Sequence, residues 1–362
     1  MLEKGKIPSI ALFLLLVNLV SATAIVSLPA ATARFAGRDA WLVPIISTIS
    51  GIIVILLVTA LGRRFPGKSL IEYTQDILGG WLGKTVGVFY LFFFIQTSGV
   101  IIREFGELLG TLVMPRTPIV VFCTVIVLLA AYSVRSGLEV IGRLAELILP
   151  LATIFYIAVF LTTWQKVDFS RLLPVLENGF APVLLGSVIP LGWRGEVLLL
   201  AMLLPCLAEP RKGRMIGIWS VVLLGLLLLF NEIIIIALFG PTLNRLIFPT
   251  FIIPSEILVG GFLRVDSIMV IVWMSGILLK LAIFYYATVL GTAQLLNLKD
   301  YKPVVLPIGV ILTAFSILSF ENYVEIPAHV IKGFPGWAYL FEWVIPLALL
   351  LIAVIRGFKP KY

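Results

Sequence analysis

Histidine occurs once in the 362 residues, at His329, and cysteine twice, at Cys123 and Cys206. A single loop histidine cannot build a zinc site or serve a Ser/His/Asp triad. Two cysteines inside apolar runs make neither a disulfide framework nor a metal cluster. No phosphate loop is present. These absences argue against an enzyme: no catalytic residue, metal or cofactor is expected. Charge is also scarce. Asp, Glu, Lys and Arg make up 13% of the chain, where soluble domains carry about 25%. No stretch is polar enough to form a soluble domain of any size.

What fills the chain instead is apolar: 60% of residues are hydrophobic. Runs long enough to cross a bilayer recur from end to end, which predicts an all-α polytopic membrane protein occupying residues 1–362 as one transmembrane domain. Ten spans are expected, at 7–33, 40–61, 84–112, 118–134, 144–164, 182–208, 214–239, 267–296, 303–320 and 336–356. The first run exceeds the roughly 7–15 residues of a cleaved leader's apolar core. An even number of spans puts both termini on one side. Lys and Arg are biased toward that side, sixteen against nine, so both termini are expected in the cytoplasm. The net charge of +8 therefore addresses the lipid bilayer and its anionic headgroups, not nucleic acid. Residues 66–79 read as a short amphipathic helix on the cytoplasmic face. In the outer loop, Glu256–Leu263 reads as a lid-like helix or a plain surface helix.

Two of the spans are badly composed for lipid. Ser21–Ala30 has small residues, three hydroxyls and Pro29, which has no N–H and clashes with the carbonyl four residues back. The helix is expected to kink or open there, and an opened turn must be covered by protein or line a cavity. The sixth span carries Pro190, Gly192, Arg194, Gly195 and Glu196 in its middle. These two breaks occupy matching places in two sets of five spans, about 7–164 and 182–356. Because five is odd, the second set runs inverted. Broken helices at matching positions of inverted repeats point to a binding site at the membrane midplane.

The ionisable residues within spans sharpen this. Lys280 stands near the centre of span eight, where an ammonium costs about 2.5–3.5 kcal/mol even on the mild insertion scale. It either acts as a fixed or proton-exchanging cation, or it is a strut paired with Glu196 or Glu232. Arg194 and Glu196 either bind the two ends of a zwitterion or pair within the protein. Glu232 reads as a buried polar contact or a proton-coupling group. Tyr90, Gln96 and Thr97 on span three are candidates to point inward. Arg103 and Glu107 have the i,i+4 spacing of an ion pair, and Glu139, Arg143 and Glu146 read the same way.

Six stretches, at 65–84, 101–109, 137–147, 172–179, 264–280 and 293–309, occur in an order that resembles the B-subunit family of bacterial spore germination receptors. That family is similar to the amino acid–polyamine–organocation transporters, which implies a five-plus-five inverted repeat with helices 1 and 6 broken. The transporters' Gly-Ser-Gly-Ile motif followed by Leu-Pro falls here on Ala22, Thr23, Ala24 and Ile25, then Leu28-Pro29. In those relatives free N–H groups at this turn hold the substrate carboxylate; alanines here limit how far it opens. Gly192-Trp193 and Gly195-Glu196 both partly match the second motif. The residue readings and the resemblance together give an expected ligand site of Thr23, Ala24, Ile25, Gln96, Trp193, Arg194, Gly195 and Glu196. Lys280 and Glu232 are the expected cation-site or coupling residues.

The implied function is a sensor: the membrane subunit of a nutrient germinant receptor in the inner spore membrane or a bacterial cell membrane. It would bind a small nutrient, an amino acid, and signal to A-type and C-type partner subunits. The alternatives are an amino-acid permease, proton-coupled through Lys280, and a conduit for ions or water.

Overall fold

The computed structural model describes residues 2–3, 5–246, 248–255, 258–259, 263–320, 325 and 333–361. Nearly all are helical, because backbone in lipid must satisfy its polar groups within its own segment. Helix α1 (Ser9–Ala36) is joined to α2 (Val43–Arg64) by a 3-10 turn at Gly37–Leu42. The short α3 (Leu70–Leu78) precedes α4 (Gly80–Leu112), α5 (Ile119–Ser136) and α6 (Leu138–Thr162). Then come α7 (Ala181–Gly195), α8 (Leu200–Leu203), α9 (Gly213–Phe239), α10 (Pro249–Ser255) and α11 (Val265–Leu295). The chain closes with α12 (Val305–Leu318), α13 (Phe334–Tyr339), a π-helical turn at Leu340–Val344 and α14 (Ile345–Ile355).

Among the described residues, eight stretches are long and apolar enough to cross a membrane; the first, Ser9–Arg64, contains two helices. A shorter apolar helix covers Lys302–Leu318. Every expected span falls on helix. The fifth starts at Leu138, not 144, because Gly137 (φ +99°) supplies a left-handed residue that ends α5 and lets α6 begin at once. Helix α1 is the axis of the bundle, packed on α6, α7, α9 and α11. Trp219, Leu226, Val310, Leu351 and Ile355 face outward, an apolar exterior suited to lipid.

Helix α3 is the amphipathic segment expected at 66–79. Leu70, Ile71, Tyr73, Thr74 and Ile77 form its buried face, against α4. Its start is a capping box: the Glu72 N–H donates to the Ser69 hydroxyl, and Glu72 accepts the Ser69 N–H. The same hydroxyl donates to Gln294 Oε1 at 2.7 Å, tying α3 to α11. Ser69→Ala is expected to cost about 1 kcal/mol and to speed amide exchange across α3. Unchanged exchange would show the cap to be idle.

The outer loop differs from its expected helix. Leu258–Val259 pairs antiparallel with Leu263–Arg264, and Gly260-Gly261 between them is poor helix content. Residues 256–257 and 260–262 of that stretch lie outside the described residues, as does His329. Glu139 accepts the Lys6 N–H at 3.0 Å in place of the expected pairing with Arg143.

The residues before α1 are anchored to the far half of the chain. Ile7 N–H donates to the Cys206 carbonyl (2.9 Å), the Ala208 N–H donates back to Ile7 (3.0 Å), and Lys6 Nζ reaches the Pro205 carbonyl (2.9 Å). Glu3 accepts from Tyr301 Oη nearby at 3.0 Å. The Lys361 N–H donates to Arg63 at the end of α2. Leu2, Glu3, Ser69, Glu72 and Cys206 line one small cavity, so both ends of the chain lie at the same end of the bundle.

Candidate ligand-binding site

The first break is a gap in bonding, not an opened turn. Helix α1 continues through Ser21–Ala30, so the N–H groups of Thr23, Ala24 and Ile25 remain in the helical ladder. Pro29 leaves only the Ile25 carbonyl without its intrahelical donor. That oxygen accepts from Asn231 Nδ2 at 3.1 Å and from Thr250 Oγ1 at 2.8 Å. Alanines at 22, 24 and 30 favour the helix where glycines would loosen it. With the orphan carbonyl satisfied from α9 and α10, nothing drives the turn apart. Two more side-chain bonds fix the same segment. Trp273 Nε1 donates to the Ala22 carbonyl (2.8 Å), and Asn18 Nδ2 donates to the Gly276 carbonyl (2.9 Å).

The second break is a change of helix type. Helix α7 ends at Gly195, a 3-10 turn runs over Glu196–Leu199, α8 follows, and a further 3-10 turn closes at Cys206. Glu196 is thus the first residue past the end of α7, and its carboxylate turns to Lys280. The ammonium lies 2.9 Å from Oε1 and 2.7 Å from Oε2, and it also donates to Thr23 Oγ1 at 2.8 Å. Both charged side chains are about 2% exposed. One cation on α11 therefore joins the first break to the second. Of the two strut partners that the sequence offers, Lys280 takes Glu196.

The other candidates are distributed around this node. Arg194 is buried but turns to α2, where Nε donates to Ser47 Oγ at 3.3 Å, and Nη1 and Nη2 have no hydrogen-bond partner. It is not on the neighbour that Glu196 uses. Glu232 accepts from Thr32 Oγ1 at 3.0 Å, a polar contact between α9 and α1. Its neighbour Asn231 also accepts the Tyr156 hydroxyl. Ala24, Gln96, Trp193 and Gly195 are buried. The Arg103–Glu107 pair forms at 2.7 Å and donates onward to the Phe320 carbonyl at 2.8 Å.

One residue of the node escapes the motif reading. Glu342 is fully buried in the π-helical turn, and its carboxylate occupies the place a side chain at Gly195 would take. It lies within electrostatic reach of both Glu196 and Lys280, as does Glu104 on α4. The signal is present in the sequence as a carboxylate inside the apolar run 336–356; such a residue is a functional candidate by its cost alone.

A cavity adjoins the node. It has about 610 Å³ of free space, including the part open to the surroundings. Its walls come from α1 (Asn18, Ser21, Ala22, Ile25, Val26), α6 (Leu149, Ala152, Thr153, Tyr156), α9 (Leu227) and α11 (Met269, Val272, Trp273, Gly276). Gly276 is one turn from Lys280 on the same face of α11. The Asn18, Thr153, Tyr156 and Trp273 polar groups already have partners. The cavity therefore offers mostly apolar wall, with charge confined to the adjoining node.

Known proteins share this architecture. Solved structures similar to it include MhsT in complex with L-phenylalanine, with 14% identity and a TM-score of 0.63 over 95% of this chain and 98% of that one. A Na+-coupled sialic acid symporter in a substrate-bound outward-open state matches with 12% identity and a TM-score of 0.68, covering 98% and 85%. Mhp1, a nucleobase-cation-symport-1 family transporter, matches with 13% identity and a TM-score of 0.65, covering 98% and 84%. At such identities the likeness concerns the fold, which is that of helical membrane transporters. In sequence the chain is 28% identical over 365 residues to spore germination protein KB of Bacillus subtilis (strain 168), covering 98% of this chain and 96% of the relative. It is 24% identical to spore germination protein A2 of the same organism, covering 94% and 93%. The family model described as spore germination protein matches residues 6–324, and the chain belongs to that family.

Proposed function

We propose that this protein is the multi-pass membrane subunit of a nutrient germinant receptor and that an amino acid is its ligand. The ligand sits in the cavity between α1, α6, α9 and α11, with its charged end at Lys280. The observation that carries this reading is the Lys280 ammonium, shared by Thr23 of the first break and Glu196 of the second. A ligand carboxylate that takes Lys280 from Glu196 uncouples the two breaks, which is a signal in itself. The apolar cavity walls suit a small hydrophobic side chain. MhsT, similar in fold, was solved with L-phenylalanine.

The chain crosses the membrane ten times as two inverted repeats, about 7–164 and 182–356. Both termini lie on the cytoplasmic side of the inner spore membrane. The common location of the two chain ends supports an even number of crossings, and the basic bias selects the side. Partner subunits of the A and C types receive the signal.

Thermal-shift measurements on purified protein across amino acids and sugars test the ligand. Ala152→Trp, which fills the cavity away from the node, is expected to abolish the ligand-induced shift and leave the ligand-free Tm nearly unchanged. A retained shift would place the ligand elsewhere. The transporter fold favours a second reading, an amino-acid permease. Saturable amino-acid flux into liposomes would establish that reading; a ligand-induced shift without flux leaves the sensor.

A further inference from the structure

The node holds more carboxyl groups than Lys280 can pair with. Its ammonium is committed to Glu196 and Thr23. Glu342 stands behind that pair, fully buried, with no hydrogen-bond partner on either carboxylate oxygen. Its carboxylate is aimed at the backbone of Gly195, in the space a Cβ would need, next to Glu196 in the chain. The charged groups around it are Glu196 and Lys280; Tyr90 and Tyr339 are the neighbouring phenols. Tyr90 donates its proton to the Phe341 carbonyl at 3.0 Å, and Tyr339 donates to the Val188 carbonyl, so neither hydroxyl is directed at Glu342. Glu104, on α4, adds a further carboxylate within reach of Lys280 and Glu196.

A buried carboxylate needs a paired charge or donors for its oxygens. The backbone around Glu342 is also adapted. It lies on a π-helical turn, a geometry found mostly at functional sites, and the facing residue is a glycine. We propose that Glu342 and Glu196 form a binding site for a second, monovalent cation beside Lys280. The cation is either an alkali ion or a small organic ammonium; both bring one positive charge to the unpartnered Glu342 carboxylate. The buried, unpartnered Glu342 carboxyl group carries this site whatever ligand occupies the cavity.

The test is the Tm of purified protein at constant chloride and ionic strength. Na+, K+ or methylammonium replaces N-methylglucamine, a much bulkier cation. A saturable rise in Tm of about 3–5 °C is expected for at least one of the three. The identity of that ion separates the alkali source from the organic one. Glu342→Gln should abolish the rise, and Asp39→Asn, which alters a buried carboxylate outside the node, should retain it. A Tm that follows pH and ignores all three cations overturns the proposal, because a proton alone then balances Glu342. So does a response that survives Glu342→Gln, or one that is lost in Asp39→Asn. If Glu342→Gln does not fold, Glu342→Asp keeps the charge but moves it. A half-saturating concentration raised about threefold or more supports the site, and an unchanged one overturns it.

Discussion

Lys280→Met is expected to destabilise the protein by about 3–5 kcal/mol, the usual cost of leaving one member of a buried ion pair without its partner. The loss comes less from a missing attraction than from the Glu196 carboxylate stranded at about 2% exposure. A second change separates structure from signal. Lys280→Met combined with Glu196→Leu removes both charges, and such replacements are often neutral or stabilising. The double variant is therefore expected to recover most of the lost stability, read as Tm. It should not recover the ligand-induced shift, because nothing remains for a carboxylate to compete over. A double variant that responds normally to ligand would reduce Lys280 to a strut.

Gly195→Val is expected to be the next most damaging change. Its added carbons fall on the Glu342 carboxylate, and overpacking of a tight interior costs about 1–3 kcal/mol. The obstacle is one side chain, so the remedy is specific. Because the Glu342 Cβ also lies within 2.8 Å of the new Cβ, Gly195→Val with Glu342→Gly should return much of the stability, whereas Gly195→Val with Glu232→Ala should not. Equal rescue by both would mean that the strain lies in the helix backbone and not in the contact with the π-helical turn.

Much of the architecture is legible in the residues themselves. Apolar runs locate the spans, Gly137 locates a boundary, and Ser69 with Glu72 locates the start of α3. Pro29 and the Gly195-Glu196 pair mark the two irregular helices. What the linear chain conceals is which groups repair the irregularity. Pro29 announces an orphan carbonyl at Ile25, but its donors, Asn231 and Thr250, lie more than two hundred residues away. That repair keeps α1 helical where the composition points to an opened turn. Lys280 is conspicuous alone, and Glu196 stands among its possible partners, yet only packing selects Glu196 over Glu232. Arg194, two residues from Glu196, has a similar local signature and turns to α2. Glu342 carries the right chemistry for the node, but no motif connects the apolar run at 336–356 to the one at 182–208. The stretch before α11 shows the opposite failure: an apolar stretch suggests a helix, and the pairing of Leu258–Val259 with Leu263–Arg264 is a tertiary fact.

The strand-like pairing of Ile7 with Cys206 and Ala208 gives the second break a mechanical output. The short helical pieces after Glu196 end at Cys206, and Cys206 and Ala208 hold both the N–H and the carbonyl of Ile7, in the peptide leading into α1. If ligand frees Glu196 and the 3-10 turn rewinds into regular helix, its rise per residue shortens from about 2.0 to 1.5 Å. Over the four residues Glu196–Leu199 this amounts to about 2 Å of travel. Cys206 would draw Ile7 with it, and Lys6 through the Pro205 carbonyl. The end of the bundle where both chain termini meet would then register an event at the core as a tug on a tether, which a docked subunit can feel without any substrate crossing the membrane.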